Sequence, residues 1–312
     1  MTSFPDTVAI IGAGAMGCLF AARMAEAGAQ VTLVDVDRAR IDAIARDGIR
    51  LTDDRGTRDI RVDAALAGAI PEAPQLVLLF TKSYHSAAAI ASIRHWQAQG
   101  PLVMSLQNGI GNAEKLADMF GADRVLQGTA HIPADLSPPN GVATHGFGHI
   151  HFGGFTAKAH RAAPDVRDLL ECAGFDAVLS DDVERVVWEK VAFNAALNAT
   201  SMICRATNGQ INTPAGRRIA QGVVQETVAV AQARGLSLDA QSIIGTVHAA
   251  LVEHGHHKPS MLQDREHGRM TEIEAINGAI VREGERLGIA TPVCATLADL
   301  VRVIEGVEHT SC

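Results

Sequence analysis

A glycine-rich turn near the start of the chain constrains the fold more than any other feature of the sequence. An apolar segment, Val8–Ile11, runs into residues 12–17 (GAGAMG), and a helical pattern then continues to Gly28. A second apolar segment, Val31–Val34, ends at Asp35. A strand, a G-x-G-x-x-G turn, a helix and a second strand with a terminal acid, at this spacing, predict a βαβ unit that binds a dinucleotide.

Each glycine of the turn has a separate physical role in this interpretation. Gly12 allows the tight turn, Gly14 lets backbone N–H groups approach a pyrophosphate, and Gly17 permits close packing of the helix on the strand. Ala15 and Met16 lie between these glycines and are also predicted to contact the cofactor. Any side chain at position 14 should therefore block the cofactor.

Two further apolar segments continue the alternation of strands and helices. Leu76–Phe80 and Leu102–Leu106 have the composition of buried parallel strands, and polar residues follow both. Lys82 and Asn108 would lie at strand carboxyl ends, where open α/β sheets bind ligands, so we predict cofactor or substrate contacts. The alternatives are that Lys82 is a solvated loop residue and that Asn108-Gly109 only makes a turn.

The remaining pattern predicts two domains of different class. Residues 127–155 contain short β-like segments, so we expect antiparallel strands to complete the sheet. Beyond Ser180 the patterns are helical, with a helix from Pro214 to about Gly235 and a last helix from Pro292 to about Ile304. The predicted fold is α/β, with an N-terminal Rossmann-type dinucleotide-binding domain (1–179) followed by an all-helical C-terminal domain (180–312).

A polar stripe runs along the predicted helix at 181–204. Lys190, Asn194 and Asn198 are four residues apart, so they share one face of an otherwise apolar helix. Two Asn inside a helix carry a propensity cost that Lys, Glu or Ala would avoid, which favours a functional wall over a solvated face. We predict that this stripe lines a binding cleft.

Two residues further along are candidates for the same site. Ser260 and Glu272 lie in a segment that forms either one helix or two, beside an apolar seam of Ile273, Ile276 and Ile280. Their structural alternatives are an N-cap for Ser260 and a first-turn carboxylate, favoured by the helix dipole, for Glu272.

Composition limits the possible partners. The net charge of -8, without a long Lys/Arg run, argues against nucleic acid and anionic membranes and favours a small-molecule partner. The five scattered cysteines argue against a disulfide framework or a zinc site. His145, His149 and His151 lack acidic or Cys partners at metal-binding spacing, so no metal is expected. The N-terminus has no signal-peptide pattern, so we expect a cytoplasmic protein.

Five motifs together resemble the ketopantoate reductase (2-dehydropantoate 2-reductase) family: GAGAMG, TKSYH at Lys82, LQNGIGN at Asn108, WEKVAFNAALN at Lys190, and PSMLQD with TEIEAINGAIV at Ser260 and Glu272. The resemblance spans nearly the whole chain. It implies NADPH-dependent reduction of ketopantoate to pantoate, with an active site between a Rossmann domain and a helical domain.

The resemblance also implies roles for individual residues. Lys190 would be the general acid, and Glu272 with Ser260 would hold the substrate. Asn194 and Asn198 would also bind substrate. Asn108 would lie beside the nicotinamide and the substrate, and Lys82 near the cofactor ribose. The chemistry agrees, because a positioned ammonium stabilises and protonates the oxygen of a ketone that accepts hydride.

The sequence departs from the family pattern where a basic residue usually binds the 2′-phosphate of NADPH. Asp35, Val36 and Asp37 stand there, so we predict that Asp35 binds the adenosine ribose and that NADH is preferred. NADPH stays possible if Arg38 or Arg40 pairs with the phosphate. The expected partner is a 2-oxo or 2-hydroxy acid, and the expected assembly is a homodimer. The alternatives are a related NAD-dependent 2-hydroxy or 3-hydroxy acid dehydrogenase for another substrate, or a non-catalytic dinucleotide sensor.

Overall fold

The structure is a computed structural model that describes residues 5–66, 68–146 and 148–310, with the side chains of 307–310 left aside. The chain divides into two compact units, Met1–Gln107 with Asn112–Glu184, and Asn108–Gly111 with Arg185–Cys312. The predicted partition at residues 179 and 180 did not anticipate that the short segment Asn108–Gly111 groups with the second unit.

The first unit is an α/β structure. Its strands are β1 (Thr7–Ile11), β2 (Gln30–Asp35), β3 (Ile49–Asp53), β4 (Gly56–Ile60), β5 (Asp63–Leu66), β6 (Leu76–Leu79), β7 (Leu102–Ser105), β8 (Val125–His131), β9 (Asp135–Ser137), β10 (Gly141–Ala143), β11 (His149–Gly154) and β12 (Asp176–Leu179). Its helices are α1 (Ala15–Glu26), α2 (Arg38–Asp47), α3 (Ser86–Ser92), α4 (Asn112–Phe120), α5 (Ala157–His160) and α6 (Ala163–Cys172).

The main sheet has eight strands in the order β12-β11-β8-β7-β6-β1-β2-β5. Neighbouring strands from β5 to β8 in this order are all parallel, as the alternation predicted. Alternate residues of β1 are buried on opposite faces: Ile10 packs with Leu19 and Phe20, whereas Ile11 packs with Trp96. Because both faces are covered, the central strands β1, β6 and β7 are almost entirely apolar.

The prediction that antiparallel strands complete the main sheet is only partly right. β11 is antiparallel to β8, but β8 joins β7 in parallel and β12 joins β11 in parallel. β9 and β10 leave this sheet and form a second one with β3 and β4, in the order β4-β3-β10-β9. The parallel pairing of Gly141 with Arg50 joins residues far apart in sequence, which local patterns do not reveal.

The second unit is helical, as predicted. Its helices are α7 (Val183–Cys204), α8 (Asn208–Ile211), α9 (Pro214–Ala233), α10 (Ala240–Glu253), α11 (Ser260–Glu266), α12 (Asn277–Leu287) and α13 (Pro292–Thr310). The last helix is longer than predicted, and the segment at 258–288 forms two helices rather than one. Trp188, Val191 and Ile276 are among the side chains of the buried core. Over the part of the chain that is described, no helix is long and apolar enough to cross a membrane.

Candidate functional site

The glycine turn between β1 and α1 has the geometry that its sequence predicts. Gly12 has φ +109°, which disfavours any L side chain, and its N–H donates to the Val34 carbonyl at 2.7 Å. A Cβ at Gly17 would collide with the Gly12 carbonyl oxygen. The turn is therefore tied to β2 on one side and packed closely against α1 on the other.

Gly14 differs from these two glycines. Its φ of -74° is accessible to any residue, and a Cβ built there meets no described atom within 4 Å. Gly14 is also the N-cap of α1, and no side chain caps the helix, so the open space at Gly14 lies beside the start of α1. A space that a Cβ would partly fill, next to a helix N-terminus, suits the pyrophosphate of a dinucleotide.

Asp35 ends β2 beside this turn, and its carboxylate accepts three backbone N–H groups. One oxygen accepts from Ala13 at 2.5 Å, and the other accepts from Val36 at 2.7 Å and Asp37 at 3.0 Å. These bonds hold one oxygen of the carboxylate against the glycine turn. The predicted contact with a ribose stays a prediction, because it would have to use the acceptor capacity that remains.

Arg40 binds the same residue, Ala13, through the next peptide group. Its guanidinium donates to the Ala13 carbonyl at 2.7 Å, and its Nε lies 3.8 Å from the Asp37 carboxylate. Asp37 in turn caps α2 by accepting from the Arg40 N–H at 3.1 Å. The N–H and the C=O of Ala13 are thus bound to opposite charges, Asp35 and Arg40.

Lys82 follows β6, as predicted, and is half-buried at the start of a 3₁₀ turn (Ser83–His85). Gln107, which was not among the predicted site residues, lies just after the corresponding end of β7. Its Nε2 donates to the Thr81 carbonyl at 2.5 Å and to the Ser86 hydroxyl at 2.9 Å. This carboxamide therefore joins the carboxyl ends of β6 and β7, and its place directly before Asn108 was the available signal.

In the second unit, the polar stripe lies on α7. Lys190 and Asn194 are half-buried and Asn198 is only 5% exposed, so the alternative of a solvated face is wrong at position 198. The Asn198 carboxamide donates to the Ser260 hydroxyl at 3.3 Å. Ser260 is the first residue of α11, and Pro259 occupies the N-cap position, so the N-cap alternative for Ser260 is also wrong.

Lys190 and Glu272 interact electrostatically. Burial lowers the pKa of the Lys190 ammonium to about 8, and the negative charge of Glu272 opposes this shift. Glu272 is 5% exposed and lies in a turn before α12, which starts at Asn277. The alternative that Glu272 is a first-turn helix carboxylate is therefore wrong. A cation poised near neutral pH beside a buried carboxylate is typical of acid–base sites.

Asn108 is half-buried in the segment Asn108–Gly111, which groups with the second unit. Gly109 has φ +92°, and the Ile110 N–H donates to the Ala275 carbonyl at 2.9 Å. The tight-turn alternative for Asn108-Gly109 is thus correct as geometry, but the same turn also binds the residues that follow Glu272.

The histidines at 145–151 show no sign of a metal site. His149 pairs with the Asp176 carboxylate at 2.6 Å on the surface. Within residues 5–66, 68–146 and 148–310, no three His, Cys, Asp or Glu side chains are grouped so that they could hold a metal ion.

Known proteins resemble this chain over most of its length. Residues 8–157 match the family model described as ketopantoate reductase PanE/ApbA, and residues 182–305 match the model of its C-terminal part. The 2-dehydropantoate 2-reductase of Halobacterium salinarum is 32% identical over 96% of this chain and 98% of its own.

Solved structures also resemble this chain over nearly its full length. The 2-dehydropantoate 2-reductase from Geobacter metallireducens has a TM-score of 0.89 at 30% identity, covering 96% of this chain and 99% of its own. A ternary structure of D-mandelate dehydrogenase with NADH and anilino(oxo)acetate has a TM-score of 0.92 at 26% identity, covering 97% and 99%.

Proposed function

Since this chain belongs to the ketopantoate reductase family and is an oxidoreductase of that type, we propose that its substrate is ketopantoate, which it reduces at the keto group to pantoate. The observation that carries the proposal is the interaction of the Lys190 ammonium with the Glu272 carboxylate, together with the Asn198–Ser260 hydrogen bond. This set supplies a proton donor and several neutral donors, as the reduction of a carboxylate-bearing ketone requires.

Lys190 is the proposed general acid. A ketone oxygen that accepts hydride becomes negative, and an ammonium whose pKa is about 8 both stabilises that charge and gives up its proton readily. Glu272 orders the ammonium through its charge and accepts a hydrogen bond from a substrate hydroxyl. Glu272 is buried and Lys190 is half-buried, and this reduced contact with water strengthens their interaction.

The carboxamides and the hydroxyl are proposed to bind the substrate. Asn194, Asn198 and Asn108 can donate to a substrate carboxylate without adding charge. Ser260 accepts from Asn198 at 3.3 Å, which leaves its own O–H free to rotate towards a substrate oxygen. Four neutral donors and one cation thus suit a small acid with an oxygen substituent.

For the cofactor, the proposed site is the glycine turn, with Gly12, Gly14, Ala15, Met16 and Gly17 around the pyrophosphate, and with Asp35, Lys82 and Asn108 as further contacts. The fit rests on the open space at Gly14 and the uncapped start of α1. When bound, a nicotinamide supplies the hydride. The chain's own contribution is to hold the turn rigid through Asp35 and Arg40, which bind the N–H and the C=O of Ala13.

NADH is the proposed preferred cofactor. Asp35 is held by three N–H groups, so it cannot easily turn away from a 2′-phosphate, and Arg40 is already engaged with Ala13. A carboxylate in contact with a phosphate costs about 4 kcal/mol per charge pair at an effective dielectric near 20, before screening. The D-mandelate dehydrogenase that resembles this chain was solved with NADH, which supports the same preference.

The substrate is tested by following nicotinamide absorbance with ketopantoate and a panel of other 2-oxo acids. The panel includes an aryl 2-oxo acid, because the similar structure of D-mandelate dehydrogenase contains anilino(oxo)acetate. We expect the highest kcat/KM with ketopantoate. A higher kcat/KM with the aryl acid would contradict the proposal and would indicate a 2-hydroxy acid dehydrogenase for bulkier substrates.

The cofactor is tested by kcat/KM with NADH and with NADPH for the wild type, Asp35→Ala and Arg40→Ala. We expect the wild type to favour NADH by at least about tenfold and Asp35→Ala to lose most of that preference. Arg40→Ala is the matched control, because Arg40 also binds Ala13, and it should weaken the binding of both cofactors alike. Equal use of NADPH by the wild type, unchanged in Asp35→Ala, would contradict the proposal.

The expected homodimer and the expected cytoplasmic location stay predictions. Sedimentation equilibrium of the purified chain measures the first, and fractionation of the source cells measures the second.

A further inference from the structure

A fully buried asparagine next to the candidate catalytic residues has no role in the proposed reaction. Asn277 is the first residue of α12, is 0% exposed, and donates from Nδ2 to the Ala195 carbonyl at 3.3 Å. Its Oδ1 has no hydrogen-bond partner among the described residues. A buried carboxamide that is only half satisfied costs free energy, so its presence asks for an explanation.

Asn277 directly follows the residues 272–276, here named the Glu272 turn. The turn is closed by its own backbone: the Glu272 carbonyl accepts from Ala275 at 3.0 Å and from Ile276 at 3.1 Å. The Ile273 carbonyl accepts from Gly278 at 2.9 Å, which leads the chain into α12. The position of Glu272 therefore depends on the contacts that hold the whole turn against the rest of the second unit.

The anchors of the Glu272 turn lead to the other site residues of the second unit. The Ala275 carbonyl accepts from Ile110, two residues after Asn108, and a Cβ at Gly109 would collide with that carbonyl. Asn277 binds Ala195, which adjoins Asn194 on α7. The turn thus links the segment that carries Asn108 to the helix that carries Lys190.

These anchors differ in strength. Arg282 and Arg302 bind the Glu274 carboxylate at 2.9 Å and 2.7 Å, but all three side chains are exposed, and exposed ion pairs contribute little. The hydrogen bond of Asn277 lies in the core, where water cannot replace it. An apolar side chain of similar size would fill the same space but would leave the turn without this polar bond to α7.

We propose that Asn277 is a positioning residue of the reaction, which fixes the Glu272 turn against α7 and so sets the placement of Glu272 relative to Lys190. The inference rests on the proposed function. Asn277 touches neither substrate nor cofactor in this role; it acts through Glu272. Small displacements of a group that holds the substrate lower the rate strongly, so the hydrogen bond is expected to matter more for turnover than for folding.

The test compares Asn277→Ala with Ser201→Ala. Ser201 is the matched control, because it is also 0% exposed, lies on α7, and has a hydroxyl without a partner among the described residues. We expect Asn277→Ala to lower kcat/KM for the keto acid by about tenfold and to leave the Kd of NADH unchanged. Ser201→Ala should change neither quantity.

A double-mutant cycle with Glu272→Ala separates positioning from a general structural effect. If Asn277 acts through Glu272, Asn277→Ala should lower kcat/KM no further once Glu272 is absent. A full tenfold loss in the Glu272→Ala background would overturn the inference, because the two effects would then be independent.

Hydrogen exchange gives a readout that needs no activity. The amides of Ala275, Ile276 and Gly278 should exchange faster in Asn277→Ala than in the wild type, and no faster in Ser201→Ala. A wild type that reduces no keto acid would refute the proposed function, and the exchange would still decide whether Asn277 holds the turn. If Asn277→Ala does not fold, Asn277→Ser takes its place. Unchanged exchange, or faster exchange with unchanged kcat/KM in an active enzyme, would overturn the inference.

Discussion

As the proposed general acid, Lys190 should set the pH range in which the enzyme is active. Burial lowers the pKa of its ammonium to about 8, although the charge of Glu272 acts in the opposite direction. A general acid must hold its proton, so kcat/KM for keto-acid reduction should fall by about tenfold per pH unit above about pH 8. A profile between pH 6 and 10 measures this limb. A rate that stays level to pH 10 would remove Lys190 from the proton transfer.

The same burial predicts a conflict between stability and activity at Lys190. The folded pKa of about 8 lies below the ordinary 10.5, so the folded state loses its proton first and stability rises with pH between these values. At pH 7 the charged form of Lys190 therefore lowers the free energy of unfolding. Lys190→Met should raise the free energy of unfolding by about 2 kcal/mol while kcat falls by at least about a hundredfold.

Urea unfolding at pH 7, together with initial rates, checks this expectation. Lys158→Met is the control, because Lys158 is an exposed lysine that pairs with Asp123 at 3.0 Å on the surface. It should change neither quantity appreciably. A Lys190→Met protein less stable than the wild type would show that the ammonium is well stabilised in its surroundings.

At the scale of elements, two glycines of the turn should have different roles, Gly17 in stability and Gly14 in cofactor binding. A Cβ at Gly14 meets open space, whereas a Cβ at Gly17 collides with the Gly12 carbonyl and would force α1 away from the turn. Gly14→Ala should keep the wild-type Tm and raise the Kd of NADH by at least about tenfold. Gly17→Ala should lower the Tm. Calorimetry measures the Tm of both variants, and titration measures their Kd for NADH. Wild-type affinity of Gly14→Ala for NADH would contradict the proposal that the turn binds the cofactor.

A buried carboxylate joins the second sheet to α1. The Asp53 side chain, at the end of β3, is 3% exposed and pairs with Arg58 at 2.7 Å and with Arg23 at 3.1 Å. The hydrogen bond from Arg58 is the main cause that holds the pKa of this carboxyl well below its usual range. The stability it contributes is thus present above the unfolded pKa of about 3.9 and is lost as the pH falls towards the folded value.

Removal of this charge should therefore be costly at neutral pH and less costly in acid. Asp53→Asn is expected to lower the free energy of unfolding by about 3 kcal/mol at pH 7, because three arginines near it lose a carboxylate partner. The difference from the wild type should shrink below about pH 4. Asp59→Asn on β4, whose carboxylate pairs with Arg50 in solvent, is the control and should have little effect. Denaturant unfolding at pH 7 and pH 3.5 distinguishes the two variants.

For the whole molecule, the features that the sequence predicted correctly are those determined by interactions between residues close together along the chain. The strand, turn and helix around Gly12 follow from local sterics, and the helical class of the second unit follows from apolar periodicity. The second sheet was missed because β3 and β10 meet through a pairing of distant residues. Asn277 was missed because nothing in its neighbourhood along the chain shows that Ala195 lies opposite.

The grouping of Asn108–Gly111 with the second unit bears on how such a chain can be divided and recombined. The chain passes from one unit to the other after Gln107, returns after Gly111, and passes over again after Glu184. A hybrid gene joined once at position 184 would inherit four residues of the helical unit from the wrong parent. Among them is Ile110, whose N–H binds Ala275 behind Glu272. Exchange of the nucleotide-binding unit between two parents therefore needs two further junctions, after Gln107 and after Gly111. The segment Asn108–Gly111 then stays with the Glu272 turn of its own parent.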